Sequence, residues 1–326
     1  MNNAESGNLF YSPYSSVLRP NFAKIYNEIN KKAQDYELKT GNALWVQQDF
    51  TLLEDYTSRV EKYYGGKTAN LDFINESERS RQTINSFIEE QTNNKIKELI
   101  PAGILNAMTR LFLTNAIYFK GTWQWEFDTS NTRDEDFRIT PDNIVKTPMM
   151  TMFPKKANFN YADTGDLQIL ELPYKGDAIS MLILLSSENL QAIEPGLTAE
   201  KLNEYKSKMK ETKLDSISLP TFEFDTKYFM NEALSALGMP AAFSENANFS
   251  GMTGQKDLFI NSVIHQAYIK VDEKGTEAAA ATAVTMDTAS VRPQTDFKAD
   301  HPFIFIIQDK ETNNILFLGR VVDPTK

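Results

Sequence analysis

Residues 273–293 read Glu273-Lys-Gly-Thr-Glu-Ala-Ala-Ala-Ala-Thr-Ala-Val-Thr-Met-Asp-Thr-Ala-Ser-Val-Arg-Pro293. The alanine run favours a short surface helix by intrinsic propensity. The alternation favours a half-buried strand instead, because every second residue from Thr276 to Met286 is small or apolar. No proline precedes Pro293, so every backbone N–H can join a central ladder, and Gly275 supplies a flexible pivot. The segment suits a loop, a helix or an inserted strand, as a conformational switch requires.

Outward from this segment, helical patterns come first along the chain and strand patterns follow. Apolar spacing predicts helices over residues 22–38, 52–64, 78–99 and 228–237. Apolar runs predict strands over residues 111–119, 167–172, 178–185, 216–224, 264–271, 303–308 and 315–322. This order indicates an α+β fold with large mixed sheets. No repeat or linker interrupts it, so we predict a single domain over residues 1–326.

The composition excludes several classes of function. The chain has 326 residues, of which 41% are hydrophobic, and a net charge of -10 without a basic face, which argues against nucleic-acid binding. Its apolar runs are too short to span a membrane. With no Cys and only two histidines, His265 and His301, we expect no thiol chemistry, no metal centre and no cofactor.

Several motifs resemble the serpin family, and together they cover nearly the whole chain from Asn8 onward. The match at residues 275–282 is to the hinge of inhibitory serpins, and residues 264–267 and 271–274 precede it as the family expects. Further matches lie at residues 8–15, 115–121 with Trp123, 172–174, 219–222, 297–305 and 318–321 with Pro324. The resemblance implies helices packed on three β-sheets, with an exposed reactive-centre loop at about residues 273–293 that can insert into the main sheet.

The beginning of the chain departs from the family pattern. Only seven residues precede Asn8, where serpins carry a full helix, and the chain passes directly from Val17-Leu18 to Arg19-Pro20, where a long buried helix is expected. Losing a buried helix would remove core from beneath the sheet. We therefore expect that this sequence omits segments of the whole protein, and an intact mass of 37.1 kDa would contradict that expectation.

The resemblance implies suicide inhibition of serine or cysteine proteases through a covalent complex. In this mechanism the protease cleaves the loop, and the cleaved hinge enters the main sheet as a new strand. Loop insertion in serpins is a well-known example of such strand addition. The hinge residues implied are Glu273, Gly275, Thr276, Glu277, Ala278, Ala279, Ala280, Ala281 and Thr282.

Counting along the loop as the family does puts the cleaved bond at Ala289-Ser290, with Asp287-Thr288 and Thr288-Ala289 as alternatives. A small residue before the bond suits an elastase-like protease. Arg292 would attract a trypsin-like enzyme, but it lies late in the loop.

By the same resemblance, Ser12, Ser15, Asn115 and His265 form the shutter cluster that controls how easily the sheet opens, and Trp123 marks the breach where insertion begins. A buried hydrogen-bond network can set that ease of opening. Taken alone, His265 also fits an ordinary buried histidine, and Trp123 fits an ordinary core aromatic.

Two other functions remain as alternatives. A Ser-His-Asp hydrolase would need an activated serine beside His265 or His301, yet no Gly-x-Ser-x-Gly elbow occurs. A non-inhibitory serpin acting as a carrier, store or chaperone is the stronger alternative. Such members tend to have bulky, charged or proline residues where this chain has Ala278 to Ala281, so the hinge favours an inhibitor over a carrier, although Glu277 is compatible with either. We expect a protease inhibitor and not an enzyme.

We further expect a monomer. The first residues lack a cationic start and an apolar stretch, so no signal peptide is visible. We expect a secreted, periplasmic or cell-surface protein whose signal has been removed, with a cytoplasmic location as the alternative. The absence of Cys favours a prokaryotic-type member of the family.

Overall fold

A computed structural model describes residues 36–154, 157–276 and 295–326, together with Asn27. In these ranges the strands are β1 (Tyr36–Thr40), β2 (Ala43–Gln47), β3 (Lys67–Leu71), β4 (Leu111–Thr122), β5 (Arg133–Thr140), β6 (Asn143–Met152), β7 (Phe159–Asp163), β8 (Leu167–Pro173), β9 (Ile179–Ser186), β10 (Lys210–Thr212), β11 (Ser216–Pro220), β12 (Phe222–Phe229), β13 (Ser262–Asp272), β14 (Gly275–Thr276), β15 (Asp296–Lys298), β16 (Phe303–Asp309) and β17 (Ile315–Val321). The α-helices are α1 (Glu54–Tyr64), α2 (Ser77–Gln91), α3 (Ala199–Lys208), α4 (Asn231–Ala236) and α5 (Ser250–Thr253), and 3₁₀ turns occupy Thr129–Asn131, Leu190–Ala192, Glu194–Gly196 and Pro240–Phe243.

The strands form three sheets. The seven-stranded sheet has the order β12-β13-β14-β4-β2-β3, and β1 also pairs with β4. The six-stranded sheet has the order β10-β7-β8-β9-β16-β17, and the four-stranded sheet has the order β15-β11-β6-β5. Helices combined with three sheets confirm the predicted α+β architecture.

The chain divides into two compact units. The first is built from Leu38–Phe119 and Asp225–Tyr268. Here β13 runs parallel to β4, with Ser262 opposite Phe112 and Tyr268 opposite Tyr118. Its core includes Ile84 and Ile88 of α2 packed with sheet residues such as Trp45, Phe112 and Ile264. The apolar stripe of α2 therefore covers the region where β4 and β13 pair.

Among the described residues, the second unit is built from Lys120–Phe224 and Ile269–Lys326, with Tyr36 and Glu37. It contains the six-stranded sheet, whose strand β9 is buried along its whole length, as expected for an apolar run covered on both faces. One core cluster of this unit contains Leu182, Leu184, Ile304 and Ile306, with Leu202 of α3. The prediction of one domain over residues 1–326 stays a prediction.

Most predicted strands agree with the structure, but three predicted helices do not agree in full. Residues 36–38 belong to β1, although the helix prediction ran to residue 38. The helix predicted over residues 78–99 ends at Gln91, because Asn93 and Asn94 adopt φ angles of 52° and 60° in the left-handed region. The helix predicted over residues 228–237 is wrong at its start, because β12 continues to Phe229.

Two strand predictions need smaller corrections. The strand predicted over residues 216–224 is interrupted at Thr221, where β11 ends and β12 begins. The expectation that helical patterns come first along the chain is incomplete, because β1, β2 and β3 precede the long strand β4. No helix in the described ranges is long and apolar enough to cross a membrane.

Candidate functional site

The first residues of the predicted hinge form the short strand β14 in the second unit. Gly275 and Thr276 pair antiparallel with Asp272 and Val271 of β13. On their other side they pair antiparallel with Thr122 and Gly121 of β4. The hinge therefore already lies between two strands at this point, and residues 273–276 are not an exposed loop.

Gly275 is required by the close approach of two backbones. Its φ is 149°, a conformation that favours glycine. A Cβ added at this position would lie 2.0 Å from the carbonyl oxygen of Gly121 and 2.8 Å from the Cα of Thr122. The sequence interpretation of Gly275 as a flexible pivot thus omitted its second role, which is to let β14 fit against β4.

Thr276 is buried beside an aromatic pair. It is 1% exposed, and its hydroxyl lies 2.8 Å from the hydroxyl of Tyr174. The Tyr174 ring stacks on Trp123 with centroids 4.5 Å apart and an interplanar angle of 14°. Burial raises the pKa of Tyr174, so its phenol stays protonated at neutral pH and can donate or accept in this hydrogen bond.

The turn before β14 is anchored by main-chain hydrogen bonds. Trp123 donates its backbone N–H to the carbonyl of Lys274 at 2.6 Å and its indole Nε1–H to the carbonyl of Asp272 at 3.1 Å. The backbone N–H of Phe127 donates to the carbonyl of Glu273 at 2.7 Å, and the Thr132 hydroxyl donates to Glu273 Oε1 at 2.6 Å. These contacts hold the turn of residues 272–274 against Trp123, Phe127 and Thr132.

Two charged side chains of this turn are buried to different extents. Burial raises the pKa of Asp272, while its hydrogen bond from the Lys274 N–H acts in the opposite direction. Lys274 is 8% exposed, and its Nζ has no hydrogen-bond partner among the residues that the structure describes. An ammonium group in this position costs free energy.

The predicted shutter residues lie in the first unit. His265 of β13 is directly opposite Asn115 of β4, and its Nδ1 hydrogen-bonds to Asn115 Oδ1. The Asn115 amide in turn donates to Asn42 Oδ1. Because Asn115 Oδ1 can only accept, Nδ1 of His265 is the protonated nitrogen of the neutral ring.

The environment of His265 favours that neutral form. Burial lowers the pKa of His265. The ring of Tyr228 is nearly parallel to the imidazole, with the centroids 6.3 Å apart. The side chains of Asn115 and His265 thus add a hydrogen bond to the backbone pairing of β4 with β13.

Some of the predicted site residues lie together in the structure, and others are not among the residues that it describes. Asn115 meets His265, and Trp123 lies against the turn of Glu273 and the hinge strand. The remaining predicted site residues lie outside the described residues: Ser12, Ser15, Glu277, Ala278, Ala279, Ala280, Ala281, Thr282, Asp287, Thr288, Ala289, Ser290 and Arg292.

Sequence reasoning gave no role to Tyr174, Thr132, Asn42 or Tyr228. Only Tyr174 belonged to a quoted motif, and nothing in that motif indicated a partner 102 residues away. Within the described part of the chain, no group of three or more His, Cys, Asp or Glu side chains is placed to hold a metal ion.

The chain belongs to the serpin family. The family model described as serpin (serine protease inhibitor) matches residues 2–324. The arrangement of three sheets also agrees with solved structures of this class. Uncleaved ovalbumin gives a TM-score of 0.84 at 30% identity, covering 95% of this chain and 80% of ovalbumin. Thyroxine-binding globulin in complex with thyroxine gives 0.85 at 28% identity, covering 95% of this chain and 82% of the globulin.

Curated proteins with similar sequences also include members of the serpin family. An uncharacterized serpin-like protein of Methanosarcina acetivorans is 42% identical over 323 residues, which cover 98% of this chain and 75% of the relative. Leukocyte elastase inhibitor of Sus scrofa is 41% identical over 310 residues, covering 93% of this chain and 82% of the inhibitor. Serpin B3 of Homo sapiens is 40% identical over 310 residues, covering 93% of this chain and 78% of that protein.

Proposed function

We propose that this protein is a suicide-substrate inhibitor of serine proteases, with cysteine proteases as a second target class. One observation carries the proposal. Gly275 and Thr276 already form a strand between β13 and β4, whereas the same two strands pair directly with each other from Ser262 and Phe112 onward. The hinge thus has the position and direction that further insertion requires.

The expected reaction begins as ordinary proteolysis. The protease nucleophile attacks the carbonyl carbon of Ala289, and the amine of Ser290 leaves with a proton, so that an acyl-enzyme forms on Ala289. Asp287-Thr288 and Thr288-Ala289 remain alternative positions of the cleaved bond. Once the loop is cut, the segment beginning at Glu277 can follow Thr276 into the sheet while still bound to the protease.

Hydrogen-bond pairing provides a driving force for this insertion. The direct β4–β13 ladder is parallel, whereas β14 pairs antiparallel on both sides. Insertion would exchange one parallel ladder for two antiparallel ladders, which are slightly more stable per residue. At roughly 0.5–1.5 kcal/mol net for each additional hydrogen bond, a dozen inserted residues would contribute on the order of 10 kcal/mol.

The relatives agree with this proposal in part. Leukocyte elastase inhibitor carries an inhibitory function in its name, and the small residue Ala289 would suit an elastase-like primary pocket. Thyroxine-binding globulin, solved with bound thyroxine, supports a second candidate function as a non-inhibitory carrier. The run of small residues Ala278 to Ala281 favours inhibition, because such side chains can enter between strands without steric conflict.

A covalent-complex assay tests the proposal. The protein is incubated with a panel of elastase-like, trypsin-like, chymotrypsin-like and papain-like proteases, and SDS gels separate covalent complex from cleaved protein. Mass spectrometry of the released C-terminal peptide then identifies the cut bond. We expect SDS-stable complex with at least one protease. Complete cleavage without complex across the panel would contradict inhibition and favour the carrier function.

A pair of hinge variants sharpens this assay. Thr276→Arg places a long cation at a position that is 1% exposed, so the hinge should leave the sheet and the variant should be cleaved as a substrate. Thr276→Ser keeps the hydroxyl and a small side chain, and it should form complex like the parent. Equal complex formation by Thr276→Arg and the parent would exclude insertion as the mechanism.

A further inference from the structure

His301 lies between two hydrogen-bond acceptors. Its Nδ1 is 2.9 Å from Asp300 Oδ1, and its Nε2 is 2.7 Å from the main-chain carbonyl oxygen of Ser186 in β9. A neutral imidazole carries one N–H and can donate to only one of them, whereas the imidazolium ion donates to both. The geometry therefore matches the doubly protonated ring.

The charged groups around His301 favour its imidazolium form. Asp300 comes from the same segment and accepts from Arg138 of β5 at 2.8 Å. Lys298 of β15 is paired with Glu135 of β5 at 2.6 Å. Burial alone would raise the pKa of Asp300, but its bond with His301 and the nearby cations outweigh burial and lower that pKa. The bond to Asp300 raises the pKa of His301, against the opposing effects of burial and of Arg138.

These residues secure the end of a weak strand. β15 has three residues and is an edge strand that pairs with β11 alone in its sheet. Beyond its end, the backbone N–H of Arg138 donates to the Asp300 carbonyl at 2.8 Å. The ladder is short, and the buried side chain of Phe297 and the hydrogen bond from the Ala299 N–H to the Ser218 carbonyl also hold the segment. The contacts of Asp300 and His301 add to this attachment at its C-terminal end.

We propose that the imidazolium form of His301 fastens the chain after the reactive loop to β9 and, through Asp300, to β5, and that loss of its proton loosens this attachment. The consequence for inhibition rests on the proposed function. An uncut loop remains joined to β15, so retention of β15 opposes entry of the uncut loop into the sheet. Loss of the His301 proton would therefore favour entry of the uncut loop into the sheet. A protein in that state no longer presents the loop to a protease and cannot inhibit.

A histidine titration by NMR tests the attachment without any protease. The chain contains two histidines, so two imidazole signals are expected, and the signal missing from His301→Gln identifies His301. We expect that signal to titrate above the ordinary histidine value of about 6.5, and Asp300→Asn should move it to lower pH. Titration of His301 at or below the ordinary value would overturn the proposal, as would an Asp300→Asn variant with unchanged titration.

The rate of spontaneous loop entry tests the consequence. Intact protein is held at about pH 5.5 and about pH 8.5, which bracket the titration of an ordinary histidine, and the fraction of loop still cleavable by a protease is followed over time. Loss of one charge-assisted hydrogen bond should make this fraction decline about tenfold faster at the higher pH. His301→Gln should lose the slower decline at the lower pH and should match the parent at the higher pH.

Lys298→Gln is the matched control, because it removes a different contact of the same segment, the ion pair with Glu135, and leaves His301 and Asp300 in place. It should accelerate loop entry at both pH values and keep the ratio between them. A parental ratio in His301→Gln would overturn the inference. Failure of the proposed function is separately visible: no covalent complex would form, while the titration and the dependence of loop entry on His301 would still be observed.

Discussion

The hydroxyl oxygens of Thr276 and Tyr174 lie 2.8 Å apart in a buried position. This contact joins the hinge strand β14 to the residue after β8, and the Tyr174 ring stacks on Trp123, which holds the preceding turn. Thr276 is therefore secured by a side-chain hydrogen bond in addition to the two strand ladders of β14. The free energy of this docking is measurable.

Removing the Thr276 hydroxyl should destabilise the uncut protein. Thr276→Val keeps the shape of the side chain and should lower the free energy of unfolding by about 1 kcal/mol, whereas Thr276→Ser should lower it less. Urea denaturation of both variants, of Tyr174→Phe and of the Val/Phe double variant completes a double-mutant cycle. A coupling energy near zero would show that the two hydroxyls do not interact in solution.

The contacts along β4 show where sequence reasoning succeeds and where it stops. The run Leu111 to Phe119 is almost continuously apolar, and this pattern predicts a strand that is covered on both faces. In the structure most of these residues are buried in β4. The strand continues to Thr122 because Gly121 and Thr122 pair with the hinge residues Gly275 and Thr276. That pairing joins distant parts of the chain, and no local pattern indicates it.

The candidate site shows the same limit. Motif resemblance selected Asn115, His265 and Trp123. Each makes a half-buried side-chain hydrogen bond between β13 and either β4 or the residue that follows β4. Their partners Tyr174 and Asn42 were missed, because a tyrosine or an asparagine at an ordinary position gives no sign of what it contacts. Side-chain partners depend on tertiary packing, which a single sequence does not encode position by position.

The register of β14 allows a prediction about Thr282 after insertion. Thr276 lies opposite Val271 and Gly121. Six residues further along the loop is Thr282, and six residues back along the two strands are His265 and Asn115. If the register continues, Thr282 would enter between these two side chains, which now hydrogen-bond to each other.

A hydroxyl is suited to that position, because it can accept from the His265 N–H and donate to Asn115 Oδ1. Thr282→Val should therefore destabilise the loop-cleaved, inserted protein by about 1–3 kcal/mol, since a donor and an acceptor would lose their partner. Thr282→Ser is the matched control and should restore most of the loss. Thermal unfolding of the cleaved forms measures the effect, and equal melting of the Val and Ser variants would contradict the extended register.

Replacement of Lys274 should stabilise the protein, whereas the threonine variants above should destabilise it. Its amine is buried and has no hydrogen-bond partner among the described residues, so Lys274→Met should remove an unfavourable charge while keeping the volume of the side chain. We expect the free energy of unfolding to rise by about 2 kcal/mol. Lys175→Met is the control, because Lys175 is exposed and pairs with Glu126 at the surface, where the change should be within about 0.5 kcal/mol. A loss of stability in Lys274→Met would mean that the amine is solvated or paired in solution.

The two histidines should give stability contributions of opposite sign with pH. Burial lowers the folded-state pKa of His265, so its contribution is present above the unfolded-state pKa and is lost as pH falls through the folded-state value. His301, with its raised pKa, contributes in the reverse direction: its contribution is present below the unfolded-state pKa and is lost as pH rises through the folded-state value.

The contribution of His265 is therefore best measured in a His301→Gln background, by urea denaturation between about pH 4.5 and about pH 7.5. The free energy of unfolding should fall toward acid, because the buried ring must take up a proton. The imidazolium ring keeps the Nδ1–H bond to Asn115 Oδ1, so the cost of protonation is that of a charge in a half-buried site. Adding His265→Gln should flatten this part of the curve, because an amide at position 265 can donate to Asn115 Oδ1 without titrating. If the acid-side slope is the same with and without His265, carboxylates whose folded-state pKa is lowered, such as Glu78, govern the loss of stability toward acid.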